Sequence, residues 1–403
     1  MKQSFRQPEL PRGFLFSAFA CGIRKHGLDL GLLVSEFPAT AAAVFTTNLA
    51  CAAPVKVSRE HLKQARSRMR AVVVNSGNAN CATGCEGLAA SRRTVTAIAR
   101  ALGCSARQIL VCSTGVIGVP LKVEHILRVT PSLAKALSGK SDAFAKFTRA
   151  ILTTDKRPKW ATSEFRADGK TIRIVGCAKG AGMIQPNMAT MLAFIATDAR
   201  IAAPLLQQAL RSAVAQTFNA ITVDGDTSTN DTVILLANGA SECAPIRSKS
   251  IEYNRFLAAL QSICSQLALA IVRDGEGARR LIEIEVRGAR SPRDAEQIAR
   301  TIANSPLVKT AIGGADPNWG RILAAVGRAG VKFAPEKTTI TLAGIKMFSA
   351  GREHSFNERA AHRKLSAPLV PVVVDLHTGP ARARVWTCDL TAEYVRINSS
   401  YRS

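Results

Sequence analysis

A threonine with no acid, base or histidine beside it becomes a nucleophile if the chain is cut directly in front of it. Residues 179–192 read Lys179-Gly-Ala-Gly-Met-Ile-Gln-Pro-Asn-Met-Ala-Thr-Met-Leu192, small and turn-forming residues running into an apolar segment that opens with Thr190. No His, Asp or Glu stands close by in sequence to take the Thr190 hydroxyl proton. Breaking the Ala189–Thr190 bond would free an α-amine on the same residue, and that amine can serve as the base. Its reference pKa is about 2.5 units below that of lysine, so at pH 7 it is neutral on the order of 300-fold more often. Threonine is stiffer at χ1 than serine, which limits where the hydroxyl points. Ala189 is small and leaves the bond accessible. Without that chemistry the segment reads as a glycine turn followed by a strand.

Other polar, glycine-laced segments interrupt apolar runs. Val74-Asn-Ser-Gly-Asn-Ala-Asn80 and Cys112-Ser-Thr114-Gly115-Val-Ile-Gly118 both read as strand exits. At Gly115 a backbone N–H approaches a ligand closely, and the Thr114 hydroxyl beside it supplies a second donor, together a two-donor oxyanion hole; plain turns are the alternative. Residues 223–231 are densely polar between apolar flanks but lack the spacing and terminal Glu of a calcium-binding loop. Side-chain bonding to backbone is the better reading there. Glu276, in Arg273-Asp-Gly-Glu-Gly-Ala278, either receives an ammonium group or caps the turn, and Asp316-Pro-Asn-Trp-Gly-Arg321 reads as the cap of an apolar helix. Neither a G-x-x-x-x-G-K-[ST] nor a G-x-S-x-G pattern occurs, and the six histidines form no metal or triad pattern.

The elements that must position these groups follow from hydrophobic periodicity. Strands are expected at 71–75, 109–113, 171–178, 191–197, 231–237, 280–286, 338–342, 370–376 and 383–389, and helices at 91–102, 203–218, 255–272 and 292–303. Pro292 just after Ser291 is good helix-start chemistry. Residues 13–34 read as a β-hairpin rather than a signal segment, because Pro8, Pro11 and Arg12 interrupt the apolar run. The mixture is α/β or α+β with a large antiparallel share. The least structured stretches are 138–142 and 286–292, the second a candidate domain boundary.

The 403 residues are 47% hydrophobic, ample for a buried core. The net charge of +25 comes from scattered Lys and Arg rather than a polybasic block, and aromatics are only 5%, which argues against base-stacking platforms and nucleic-acid binding. The charge reads as a field favouring anionic substrates. Ten dispersed cysteines imply no disulfide scaffold and suit a reducing compartment, and Cys81 and Cys85 alone make no metal site. No run reaches the ~18 unbroken apolar residues of a membrane span.

Taken in order, these segments resemble the ornithine acetyltransferase (glutamate N-acetyltransferase) family from Gly13 to the C-terminus. The matches begin with Val44-Phe-Thr-Thr-Asn48, the two strand exits, Thr153-Thr-Asp155 and the 179–192 segment. They continue through Val223-Asp-Gly-Asp-Thr-Ser-Thr-Asn-Asp-Thr232, Asp274-Gly-Glu-Gly-Ala278, Asn318-Trp-Gly-Arg-Ile-Leu-Ala-Ala-Val-Gly327 and Ile397-Asn398. The resemblance implies a four-layer αββα sandwich of the N-terminal-nucleophile type with a smaller C-terminal α/β domain. It implies self-cleavage between Ala189 and Thr190 into an α chain, 1–189, and a β chain, 190–403, which stay together as α2β2 in the cytoplasm. The catalytic region would be 1–287 across both chains, and the C-terminal domain 288–403. N2-acetylornithine would acetylate Thr190 and glutamate would take the acetyl group in a ping-pong cycle of arginine biosynthesis. Thr114 and Gly115 would form the oxyanion hole, and Thr154, Lys179, Thr190, Glu276, Asn398 and Ser403 would bind substrate. No metal and no required cofactor are implied. Acetyl-CoA as a second acetyl donor is left open, because monofunctional and bifunctional members share these motifs.

Departures from the family pattern are Arg279, Lys156 and Arg157, which add charge, and Ser403 where threonine is common; they bear on fine specificity. The rival enzyme reading is an N-terminal-nucleophile amidase or aminopeptidase of similar fold, with water as acceptor.

Overall fold

The computed structural model describes residues 8–185 and 191–400. Ala189, Thr190 and Ser403 lie outside the described residues. Eight strands form the first sheet: β1 (Phe14–Phe19), β2 (Leu30–Phe45), β3 (Arg68–Asn78), β4 (Ile109–Val116), β5 (Lys159–Ala167), β6 (Lys170–Lys179), β7 (Leu192–Thr197) and β8 (Thr232–Ala237). Their order is β4-β3-β2-β8-β7-β6-β5, with β1 paired antiparallel to β2 as the expected hairpin. The sixteen-residue β2 joins two halves. Its first part pairs with β3 from Leu30↔Asn75 to Val34↔Ala71, and its last part pairs with β8 from Thr40↔Ala237 to Phe45↔Thr232. A register shift between Val34 and Ala39 bends the strand between those two duties.

Period-two alternation sorts the strand residues into layers. Val72, Val74, Leu110 and Cys112 of one half share an interior cluster with Val175, Phe194, Ala196, Ile234 and Leu236 of the other. Their neighbours point outward. Val73, Ile109 and Val111 meet α1 (Ala53–Gln64), α2 (Gly84–Leu102) and α3 (Val123–Lys135) through Val57, Val95, Ile98 and Ile126. Ile174, Ala193, Ile195, Val233 and Leu235 meet a cluster from α5 (Ala203–Gln216) and α6 (Ile251–Arg273). The layers run helix, sheet, sheet, helix, the αββα sandwich expected. Between the sheet halves, α4 (Ser141–Ala150) inserts Phe144 and Phe147. Helix α6 is long and apolar enough to cross a membrane by length and composition, but Phe256, Leu260, Ile263, Leu267 and Ile271 are buried in the core cluster.

A second sheet contains β9 (Leu281–Ala289), β10 (Thr339–Leu342), β11 (Ile345–Ser349), β12 (Arg352–Glu353), β13 (Leu369–Asp375) and β14 (Ala381–Cys388), ordered β12-β11-β10-β13-β9-β14. It has its own apolar cluster with α7 (Pro292–Ala303), α8 (Pro306–Gly313), α9 (Trp319–Gly327) and α10 (Glu358–Leu365). Ser291 caps α7 by accepting from Asp294 N–H, and Asn318 caps α9 by accepting from Arg321 N–H. The 286–292 stretch differs from the expectation of a loosely structured boundary. A division at 287/288 would cut β9, because the glycine that reads as a linker sits beside a register shift in the β9–β14 ladder. The chain leaves the first sheet's layers earlier, between α6 and β9. The last helix, α11 (Ala392–Ser400), returns to the loop that precedes β8.

Phe147 ties three elements together. Its ring meets Phe16 of β1 and Phe194 of β7 edge to face, each at 5.6 Å between centroids. It is fully buried. Phe147→Ala is expected to lower unfolding stability by about 3–5 kcal/mol, read by urea denaturation. A loss below about 1 kcal/mol would mean that the interior between the two sheet halves collapses around the deletion.

Candidate active site

The parallel strands β3 and β4 end side by side, with Ser76 opposite Thr114 and Gly77 opposite Gly115. Gly115 has φ +132°, and a β-carbon there would collide with the backbone of Gly77 and Asn78, so only glycine fits this crossing. Thr114, Gly115, Thr154, Lys179, Glu276 and Asn398 line one pocket. These six come from five separate places in the chain, and all were singled out from the sequence. The other three, Ala189, Thr190 and Ser403, lie outside the described residues.

Lys179, the last residue of β6, is buried and donates from Nζ to Thr114 Oγ1 at 3.1 Å. A hydroxyl that accepts from an ammonium keeps its own hydrogen for another acceptor. Burial is the largest influence on Lys179 and lowers its pKa; Asp155 opposes that, Lys159 adds to it, and Asp231 and Glu276 oppose it. Burial thus works against the charge of Lys179, and the nearby acidic groups work for it.

Asp155 exerts the largest of these opposing influences. Its Oδ1 accepts from Lys159 Nζ at 2.6 Å and from Gly180 N–H at 2.7 Å, while Oδ2 accepts from Thr153 N–H at 3.1 Å. Lys159 also donates to Asp274 Oδ2 at 2.6 Å. Burial pushes the Asp155 carboxyl up, but Lys179 and Lys159 outweigh it and hold the pKa at about 2. This buried relay fixes the Thr153–Thr154 turn and the Gly180 turn against each other, and it places Asp274 two residues before Glu276. Sequence reasoning quoted Asp155 and Asp274 inside motifs but gave them no role, and it missed Lys159. The available signal was a lysine and an aspartate in segments that otherwise read as buried, where charges occur only in pairs.

Glu276 is 6% exposed, and its N–H donates to Ala181 O. Its Oε2 accepts from Asn398 Nδ2 at 2.7 Å. A β-carbon on residue 182 would sit 2.5 Å from that oxygen, so Gly182 lets the carboxylate lie against the turn. Helix α11 is docked by Thr391 Oγ1 donating to Gly277 O at 2.8 Å and Tyr394 Oη donating to Asp224 Oδ2 at 3.3 Å. That docking brings Asn398 to Glu276.

Residues 223–231 do bond by side chain to backbone. Asp224 accepts from Met183 N–H (2.6 Å) and Ile184 N–H (2.8 Å), and Asp231 accepts from Met191 N–H at 2.7 Å. Asn230 Nδ2 donates to Ala79 O and Ser113 O, at 2.7 and 2.9 Å, beside the two strand exits. No metal-ligand cluster occurs among the described residues. The arrangement offers a hydroxyl donor, a cation and a carboxylate around one pocket, the parts needed to bind a charged amino acid and stabilise an oxyanion.

The ArgJ family model matches residues 15–403. The chain is 47% identical over 393 residues to the arginine biosynthesis bifunctional protein ArgJ of Chlorobaculum tepidum, covering 98% of this chain and 96% of that one. It is 48% identical to the protein of the same name from Methylococcus capsulatus, covering 97% and 95%. Among solved structures, the arginine biosynthesis bifunctional protein of Bacillus halodurans matches with TM-score 0.50 and 44% identity, covering 52% of this chain and 98% of that chain. Ornithine acetyltransferase from Mycobacterium tuberculosis, complexed with ornithine, has TM-score 0.39 and 35% identity, covering 44% and 92%.

The folded pKa of Asp155 lies below its ordinary value, so its contribution to stability is full above about pH 4 and lost as pH falls toward 2. For a shift from 3.8 to about 2 that contribution is about 2 kcal/mol. The stability gap between wild type and Asp155→Asn should narrow by that amount between pH 5 and 2 in denaturant titrations. A gap constant with pH would contradict the assignment.

Proposed function

The chain belongs to the ArgJ family, and from that premise we propose that it transfers an acetyl group from N2-acetylornithine to glutamate through an acetylated Thr190. The observation that carries this is the convergence of Thr114, Gly115, Thr154, Lys179, Glu276 and Asn398 on one pocket, in a chain whose next strand begins two residues after Thr190. The chain first cuts itself between Ala189 and Thr190. The freed amine of Thr190 then takes the proton of its own hydroxyl as that oxygen attacks the acetyl carbonyl. The oxyanion is met by the Thr114 hydroxyl, whose hydrogen the Lys179 contact leaves available, and by the backbone at Gly115. Glu276 receives the ornithine ammonium with Asn398 beside it, Thr154 bounds the substrate, and Lys179 supplies the positive field for its carboxylate. Ornithine leaves, glutamate enters, and its amine takes the acetyl group.

Two chains, 1–189 and 190–403, remain associated, and we place them in an α2β2 assembly. The solved Bacillus halodurans chain is 98% covered by 52% of this one, the share expected of one product of a cut near the middle, which supports this reading. The relatives are named bifunctional, and that name supports acetyl-CoA as a second acetyl donor to Thr190. Ten free cysteines fit a reducing cytoplasm.

Thr190→Ala is expected to give a single uncut chain by intact-mass measurement and no acetyl transfer, whereas the wild type gives two chains. A Thr190→Ala protein that is still cut would overturn the reading. With wild type, acetyl transfer to glutamate from either N2-acetylornithine or acetyl-CoA should exceed acetyl release to water; hydrolysis alone would make the protein an amidase.

A further inference from the structure

Glu276 sits between two glycines, Gly275 and Gly277, and Gly277 has φ +72°. Such a turn has little backbone stiffness of its own, so outside contacts must set where the Glu276 carboxylate lies. After it, Gly277 O accepts from Thr391 Oγ1 at 2.8 Å. Before it, Asp274 Oδ2 accepts from Lys159 Nζ at 2.6 Å. Lys159 lies behind the pocket lining, with its side chain 1% exposed. An ammonium has three hydrogens to donate, and Lys159 places its own among Asp274, Asp155 at 2.6 Å and Arg157 O at 3.4 Å.

The two acidic arms of Lys159 are unequal. Asp155 has further partners in Gly180 N–H, Thr153 N–H and the charge of Lys179. Asp274 is buried and also meets Lys156 N–H at 3.1 Å and Arg157 Nε at 3.5 Å. The Arg157 side chain is 73% exposed, and an ion pair of that kind holds weakly. Loss of Lys159 therefore strands Asp274 more than Asp155, because a buried charge without its partner is costly. The slack falls on the turn that carries Glu276. Resting on the reading that Glu276 receives the donor's ammonium, we propose that Lys159 is a positioning residue: through Asp274 it fixes Glu276, and so sets the selectivity for acyl donors that carry a terminal cationic amine. The Lys179 and Thr114 side of the pocket is braced by Asp155 and depends on Lys159 less.

The test uses the mature enzyme with glutamate as acceptor and compares two donors, N2-acetylornithine and N-acetylnorvaline, which has the same carbon chain without the side-chain amine. Wild type should favour N2-acetylornithine in kcat/KM. Lys159→Met keeps a long side chain without charge and should cut that preference about tenfold, within the cost of a misplaced binding group. The change should fall on KM for N2-acetylornithine, with kcat near wild type. A preference equal to that of wild type overturns the proposal, even where both donors lose rate together, as they would if Lys159 served only the fold. If that variant does not fold, Asp274→Asn decides: it keeps an oxygen for Lys156 N–H but gives up the ion pair, so the preference should fall again, and an unchanged preference is the contrary result. A wild type that takes both donors equally well rejects the ammonium reading of Glu276 itself, a separate outcome.

Discussion

Two buried aspartate side chains of one loop hold the backbone at residues 183–184 and at residue 191. Asp224 takes the amides of Met183 and Ile184, and Asp231 takes that of Met191. Hydrogen bonds from backbone N–H groups offset the cost of burying these side chains. The loop is itself anchored, because β8 follows at once and pairs with β2, while Asn230 reaches the carbonyls of Ala79 and Ser113. The same nine residues therefore set the spacing between residues 183, 184 and 191 and the β3 and β4 exits. The β3 and β4 exits and residues 183, 184 and 191 thus share one frame, and a shift of either would have to break bonds in that loop.

Charge alternates along a buried chain of side chains that ends at the pocket. Asp274, Lys159, Asp155 and Lys179 follow one another in space, ending on the Thr114 hydroxyl. Each buried charge has a partner of opposite sign, which is the condition under which ionised groups persist in a low-dielectric interior. Glu276 stands apart from that relay and meets the amide of Asn398 instead. Its side chain lines the pocket beside Gly182 and Lys179.

Much of this was legible in the chain. Strands with strong period-two or continuous apolar runs, such as those at 171–178 and 280–286, appeared where periodicity placed them, and the Ser291–Pro292 signal marked the start of α7. The order of polar motifs pointed to the six residues that meet in the pocket. Helices α1, α3 and α4 and strand β5 were not read. α3 carries Pro131 in its interior, α4 is ten residues long, and β5 exposes Thr, Glu and Arg along one face, so each is interrupted, short or half polar in sequence. The contact between Lys179 and Thr114 spans sixty-five positions and depends on sheet order, which local patterns do not encode. The boundary near 287 was misread because a glycine at a strand irregularity and one in a linker have the same local signature.

Sheet order also governs timing. β7 and β8 lie between β2 and β6, so residues 1–189 alone supply two patches of sheet with a two-strand gap between them. A nascent chain that has reached β6 has no neighbour for that strand's inner edge and no Asp231 to grip residue 191. Met191 meets Asp231 only when the later strands have been made and slotted into the gap. Residues before and after position 190 are interlaced in this sheet, since separating 1–189 from 190–403 would mean unzipping the β2–β8 and β6–β7 ladders together.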